Sequence, residues 1–99
     1  MKIIREYVDQ MKEELEGAKC YAEKYLYYKS QGNQKFHKYY FEMAQDELKH
    51  AMYVHEIASD EIARLKAIYK PTEEMEEVWR KEHTKYVEMT AWIRQMLQM

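Results

Sequence analysis

Seven apolar residues, Ile4, Val8, Met11, Leu15, Ala18, Ala22 and Tyr25, follow one another in steps of four and three. That rhythm is a heptad seam, and it commits the start of the chain to one long amphipathic helix. A half-buried strand would instead alternate with a period of two. The pattern predicts a helix from about Ile3 to Lys29. Ser30-Gln31-Gly32-Asn33 follows, and Gly and Asn accept the left-handed backbone that closes helices.

The same rhythm returns in Tyr40, Ala44, Glu47, Ala51, Val54 and Ala58, predicting a second helix over about Lys35 to Tyr69. Lys70 precedes Pro71, whose ring pushes it out of helical backbone. Pro71 and Thr72 suit a helix start, and Glu73, Glu74, Glu76 and Glu77 suit its positive N-terminal end. Met75, Trp79, Glu82, Tyr86, Met89, Ile93 and Met96 carry this third seam to about Leu97. Two Gly and one Pro in 99 residues leave little material for the turns of a β or βαβ fold. An all-α fold is therefore expected, as one domain over residues 1–99 without repeats, linkers or low-complexity tracts.

Length narrows the all-α class. Four bundle helices of about 25 residues each would consume the whole chain. One copy thus holds an antiparallel hairpin and a third helix, not four long helices. Charge narrows the partners. Sixteen basic residues against 18 acidic ones give a net charge of −2, without the basic excess that nucleic-acid binding requires. No apolar run approaches the roughly 18–20 residues of a membrane span. Met1-Lys2-Ile3-Ile4-Arg5-Glu6 is too charged for a signal peptide, and one cysteine, Cys20, excludes an intrachain disulfide. The expected location is cytoplasmic.

The second seam contains a carboxylate. Burying Glu47 calls for a cation, and His50, three residues on, shares its face. Met43, His50 and Ile57 lie at heptad spacing, at the edge of the apolar face. On the first helix, Tyr7, Glu14, Tyr21 and Tyr28 form a flanking row in which Glu14 alone is charged. In an antiparallel hairpin, residues equidistant from the turn come level. The midpoint of Glu14 and Glu47 falls at 30.5, inside Ser30–Asn33. Two carboxylates and an imidazole are therefore expected at one point, a set suited to Fe, Zn or Mn. A Glu from one helix and Glu-x-x-His from the next are half of a di-iron carboxylate site. The third helix offers no second Glu-x-x-His. A second copy about a two-fold axis would supply the missing half.

Glu13-Glu14-Leu15-Glu16, Tyr21 and Asp46-Glu47-Leu48-Lys49-His50-Ala51 together resemble the encapsulated ferritins, and more loosely the erythrin branch of the ferritin-like superfamily. The likeness covers roughly Lys12 to Glu56. It implies a half-ferritin in which two chains form one four-helix di-iron ferroxidase unit that oxidises Fe(II) to Fe(III), with two irons per subunit pair. By motif position, Glu14, Glu47 and His50 would be iron ligands and Tyr21 would sit beside the centre. Glu13 and Glu16 would guide metal entry. The resemblance also implies homo-oligomers and an encapsulin shell around them. Cys20 replaces a tryptophan of that family, and Met96-Leu97-Gln98-Met99 differs from its encapsulin-targeting tail.

Competing readings stand beside this one. Glu47 can pair with Lys12 or Lys19 in a non-catalytic helical assembly or adaptor module without metal. Zn, Mn or Ca can fill the same ligands, Zn or Ca then as a structural staple. Glu82 and His83 read as a solvated flank or dimer contact, His37 as an exposed residue near the turn, and His55 as a packing or solvent-facing residue. The tyrosines read as packing, with some protecting against oxidants near iron. Gly17 reads as permitting close approach of another helix near Glu14, or as without consequence.

Overall fold

The computed structural model describes residues 2–99 and consists of three helices: α1 (Lys2–Ser30), α2 (Gln34–Lys66) and α3 (Glu73–Gln98). No strand occurs among the described residues. The all-α expectation holds. Among those residues, no helix is long and apolar enough to cross a membrane.

The turn between α1 and α2 follows from its side chains. Gly32 takes φ +73°, which costs a residue without a Cβ little. Its N–H donates to Lys29 O at 3.1 Å and the Asn33 N–H donates to Tyr28 O at 3.0 Å, the paired bonds of a Schellman closure. Asn33 then caps α2, its Oδ1 accepting from the Phe36 N–H at 3.0 Å. Three residues thus reverse the chain, and α1 and α2 pack as an antiparallel hairpin.

The second turn differs from expectation. α2 ends at Lys66 rather than Tyr69; the Ile68 N–H donates to Leu65 O, a three-residue bond that tightens the turn, and the Tyr69 N–H shares the same acceptor. The chain tightens out of the helix before the Lys70–Pro71 step is reached. Thr72 caps α3, its Oγ1 accepting from the Met75 N–H at 3.2 Å. Glu73, Glu74 and Glu76 occupy the first turn, where the helix dipole favours them.

Two apolar clusters fix the third helix. Ile4 and Val8 meet Ile62 and Met75 at one end. Ala18, Ala22 and Tyr25 meet Ala44, Leu48, Ile93, Met96 and Leu97 at the other. α3 therefore runs alongside α1 in the same direction, and α2 runs against both. The molecule measures 54 × 17 × 17 Å. α3 leans on α1 and touches α2 sparingly. An open groove of about 370 Å³ remains between α2 and α3, lined by Phe41, Leu48, Met52, Arg94 and Leu97 among others.

Burial matches the first seam completely, since all seven of its residues are buried. The other two seams are wider than a strict heptad. On α2, Ala44, Ala51, Val54 and Ala58 are buried as expected, Leu48 and Ile62 join them, and Tyr40 and Glu47 are only half-buried. A straight helix drifts about 20° per heptad, so its buried stripe moves off the starting seam. On α3, Met75, Ile93 and Met96 are buried, Thr90 and Leu97 are added, and Trp79, Tyr86 and Met89 are half-covered.

Two polar residues correct the sequence reading. Glu82 is 4% exposed and is no solvated flank. It faces Lys12, Asp9 and Glu16 of α1 and Lys85 of its own helix. Its Oε1 is buried without a hydrogen-bond partner. Burial raises its carboxyl pKa, and the two lysines only partly oppose that. His37 is not exposed either. It is half-buried, its ring 4.5 Å from that of Tyr25, with Nδ1 unpartnered.

Candidate metal centre

The hairpin brings Glu14 of α1 level with Glu47 and His50 of α2. His50 Nδ1 lies 3.6 Å from Glu14 Oε2 and 3.5 Å from Glu47 Oε1. One ligand atom from each of the three residues lies within 4.8 Å of the others, the one such group among the described residues. The carboxylate side chains are 22% and 26% exposed and His50 is 54% exposed, so the cluster is partly sunk and open on one side. At about 100° per residue, Glu47 and His50 lie far around α2 from Gln45 and Met52, which line the α3 groove. The centre therefore occupies the flank of the hairpin turned away from α3.

These separations fit a cation. Metal–ligand bonds of about 2.1 Å at tetrahedral angles place neighbouring ligand atoms about 3.4 Å apart, and octahedral ones about 3.0 Å. The two measured edges need to close by only a few tenths of an ångström. Electrostatics points the same way. Burial, reinforced by the facing Glu47 carboxylate, raises the Glu14 pKa, while His50 pulls it down and Glu13 adds a further push up. Two carboxylates held together in a partly desolvated place repel until a proton or a cation comes between them.

Gly17 explains how Glu47 enters. A Cβ at position 17 would stand 3.0 Å from Glu47 Oε2 and 3.6 Å from its Cδ. The missing side chain leaves room for the carboxylate to lie against α1 beside Glu14. The space is used by a side chain of α2 rather than by another helix backbone. Lys19 pairs with Glu23 at 3.9 Å, and Lys12 faces Glu82. Neither lysine is the partner of Glu47.

The remaining sequence candidates sit elsewhere. Tyr21 lies two helical turns along from Glu14, about 10 Å by helix rise. Its ring is 6.0 Å from Tyr40, which stacks flat on Tyr28 at 5.5 Å. Tyr21 thus belongs to an aromatic stack climbing toward the turn. Glu13 and Glu16 are both exposed. Glu13 is near enough to raise the Glu14 pKa, whereas Glu16 acts on Glu82 on the other flank of α1. Cys20 is exposed and free.

Sequence reasoning missed a pair of histidines. His55 and His83 touch across the α2–α3 cleft, Nε2 to Nδ1, at 2.8 Å. The signal available was weak: His55 follows Ala51 by one turn, and nothing in linear sequence pairs it with α3.

Comparison with known proteins returns no matching family model, no matching curated protein and no matching solved structure.

Proposed function

We propose that this chain is half of a di-iron ferroxidase-type centre completed by a second copy, as its resemblance to half-ferritins implies. The observation that carries the reading is the convergence of Glu14, Glu47 and His50 within ligand distance of one another. Three ligands on an open flank leave a cation under-coordinated. A two-fold partner would bring the set to four carboxylates and two imidazoles, enough for two irons. The surface around the centre suits such a partner. Phe36, Met43 and Ile57, 43%, 39% and 51% exposed, lie in line with His50 at heptad spacing along α2. Exposed apolar residues recurring at heptad spacing beside the cluster suit a helix-packing face.

The residues would divide the work. Glu14 and Glu47 would supply the negative charge that draws and neutralises the metal, and His50 would add a nitrogen donor beside them. Gly17 keeps Glu47 seated. Iron, as the substrate, supplies the electrons: two Fe(II) side by side can deliver two to dioxygen or peroxide.

The test measures mass and oxidation together. Light scattering should show a larger species with Fe(II) than with chelator, because binding favours the state that holds the site. Absorbance should report Fe(III) formation by the natural chain and its loss in Glu47→Ala. Unchanged mass and an unchanged oxidation rate in Glu47→Ala would defeat the proposal. Metal binding and association without oxygen consumption would indicate a structural metal, and association without metal would indicate an assembly module.

A further inference from the structure

A second group of metal-binding side chains lies on the other flank of α2. His55 and His83 face each other with Nε2 and Nδ1 2.8 Å apart and ring centroids 5.0 Å apart. Tyr86 lies flat against His55, its centroid 4.1 Å away and its plane within 4°. Trp79 stacks on the same imidazole at 5.8 Å. The aromatic rings hold His55 in one orientation, with Nε2 aimed at α3. The histidine ion pairs among the described residues belong to His50, so no carboxylate holds either of these rings.

At 2.8 Å the two rings are hydrogen-bonded, one nitrogen donating its N–H and the other accepting. The two nitrogens converge on one point between the rings. Burial, and then the neighbouring His83, lowers the His55 pKa.

We propose that His55 and His83 form a two-imidazole clamp for a borderline divalent transition ion of the Cu(II) or Zn(II) type, which enters between the two nitrogens as the donating ring moves its proton to its other ring nitrogen, and so ties α3 to α2. Bonds of about 2.0–2.1 Å at tetrahedral angles set the two nitrogens about 3.3 Å apart. The pair must open by about half an ångström, and exposed His83 is free to move. Water completes the coordination. The ligand chemistry differs from that of the flank carrying Glu14, Glu47 and His50. That set is rich in carboxylate oxygen and suits harder ions, whereas two imidazoles without carboxylate select copper and zinc. The clamp also lies where the fold is thinnest, since α2 and α3 meet little and an open groove parts them.

The test uses the full chain carrying His50→Ala, which removes the only imidazole of the other centre and makes the outcome independent of the ferroxidase reading. Cu(II) is added and followed by electron paramagnetic resonance, and Zn(II) by thermal melting. One Cu(II) per chain with splitting from two nitrogens is expected, together with a Zn(II)-dependent rise in melting temperature. Adding His83→Gln should remove one nitrogen from the spectrum and weaken binding by about tenfold or more. Because His83 is exposed, that variant should fold, and circular dichroism checks it. His55→Asn should act in the same direction. A single-nitrogen spectrum in the His50→Ala parent, or equal affinity with and without His83→Gln, overturns the proposal.

Discussion

Replacing Gly17 by Ala separates what the chain needs to fold from what its centre needs to bind. Within a helix, Gly is worse than Ala by about 1 kcal/mol, because it fixes more backbone freedom. Gly17 lies in the middle of α1 and has ordinary helical φ, so Ala meets no backbone strain there. The added Cβ meets one obstacle, Glu47 Oε2 at 3.0 Å, and that atom must retreat by a few tenths of an ångström. It is the far end of a flexible side chain and moves at little cost. Without metal, most of the propensity gain should survive. For a chain of this size, 1 kcal/mol corresponds to a melting shift of about 4–8 °C. With metal, the same retreat displaces the Glu47 carboxylate from the place it holds 3.5 Å from His50. An affinity loss of about tenfold is expected, worth about 1.4 kcal/mol. The two effects oppose each other, so Gly17→Ala should melt higher than the natural chain in chelator and lose that lead in saturating Fe(II) or Zn(II). Calorimetry in both buffers, with a metal titration, measures it. A lower melting temperature in chelator would show that the contact strains the helix pair itself. A higher one with unchanged metal affinity would remove Glu47 from the ligand set.

Further outcomes follow from burial and charge elsewhere. Glu82→Gln should stabilise the fold at pH 7 by about 1–3 kcal/mol, since it removes a buried charge whose Oε1 has no partner. The folded-state carboxyl pKa is raised, so the natural chain loses stability as pH rises above about 4.5. The benefit should accordingly fade toward pH 4 in urea titrations, and a pH-independent benefit would contradict this. His55 has the opposite sign. Its folded pKa is lowered, so its contribution is intact above about pH 6.5 and is lost as pH falls below it. His55→Asn should flatten that part of the stability–pH curve measured in the absence of metal. Leu15→Ala, at a fully buried core position, should cost about 2–5 kcal/mol by urea denaturation without changing helix boundaries. A cost below 1 kcal/mol would mean that the seam is not the core.

What was legible in the sequence depended on how local its cause was. The α1 seam was readable residue by residue because α1 faces both other helices along one stripe, and a single stripe is what periodicity reports. The level placement of Glu14 and Glu47 was equally readable, since an antiparallel hairpin with a short turn has one register. Glu82 and the His55–His83 pair were not, because their surroundings depend on where α3 lies. Pro71 and Thr72 mark the start of that helix but say nothing of its azimuth. Cap chemistry is local, whereas azimuth is set by Met75 reaching Ile4 and Ile62 at one end and by Ile93 and Met96 reaching Ala18 and Ala22 at the other.

That division bears on the centre itself. Its three candidate residues come from the hairpin, the most local part of the fold, and α3 contributes none of them. The third helix packs along α1 and leaves the flank of Glu14, Glu47 and His50 uncovered. In a four-helix site that flank would be closed by the chain's own later helices. Here α3 lies along α1 instead. Phe36, Met43 and Ile57 keep the uncovered row apolar, which a helix face meant only for water has no reason to do. The open candidate set and the apolar row are two separate observations. One physical arrangement, a second hairpin docked on this flank, would answer both.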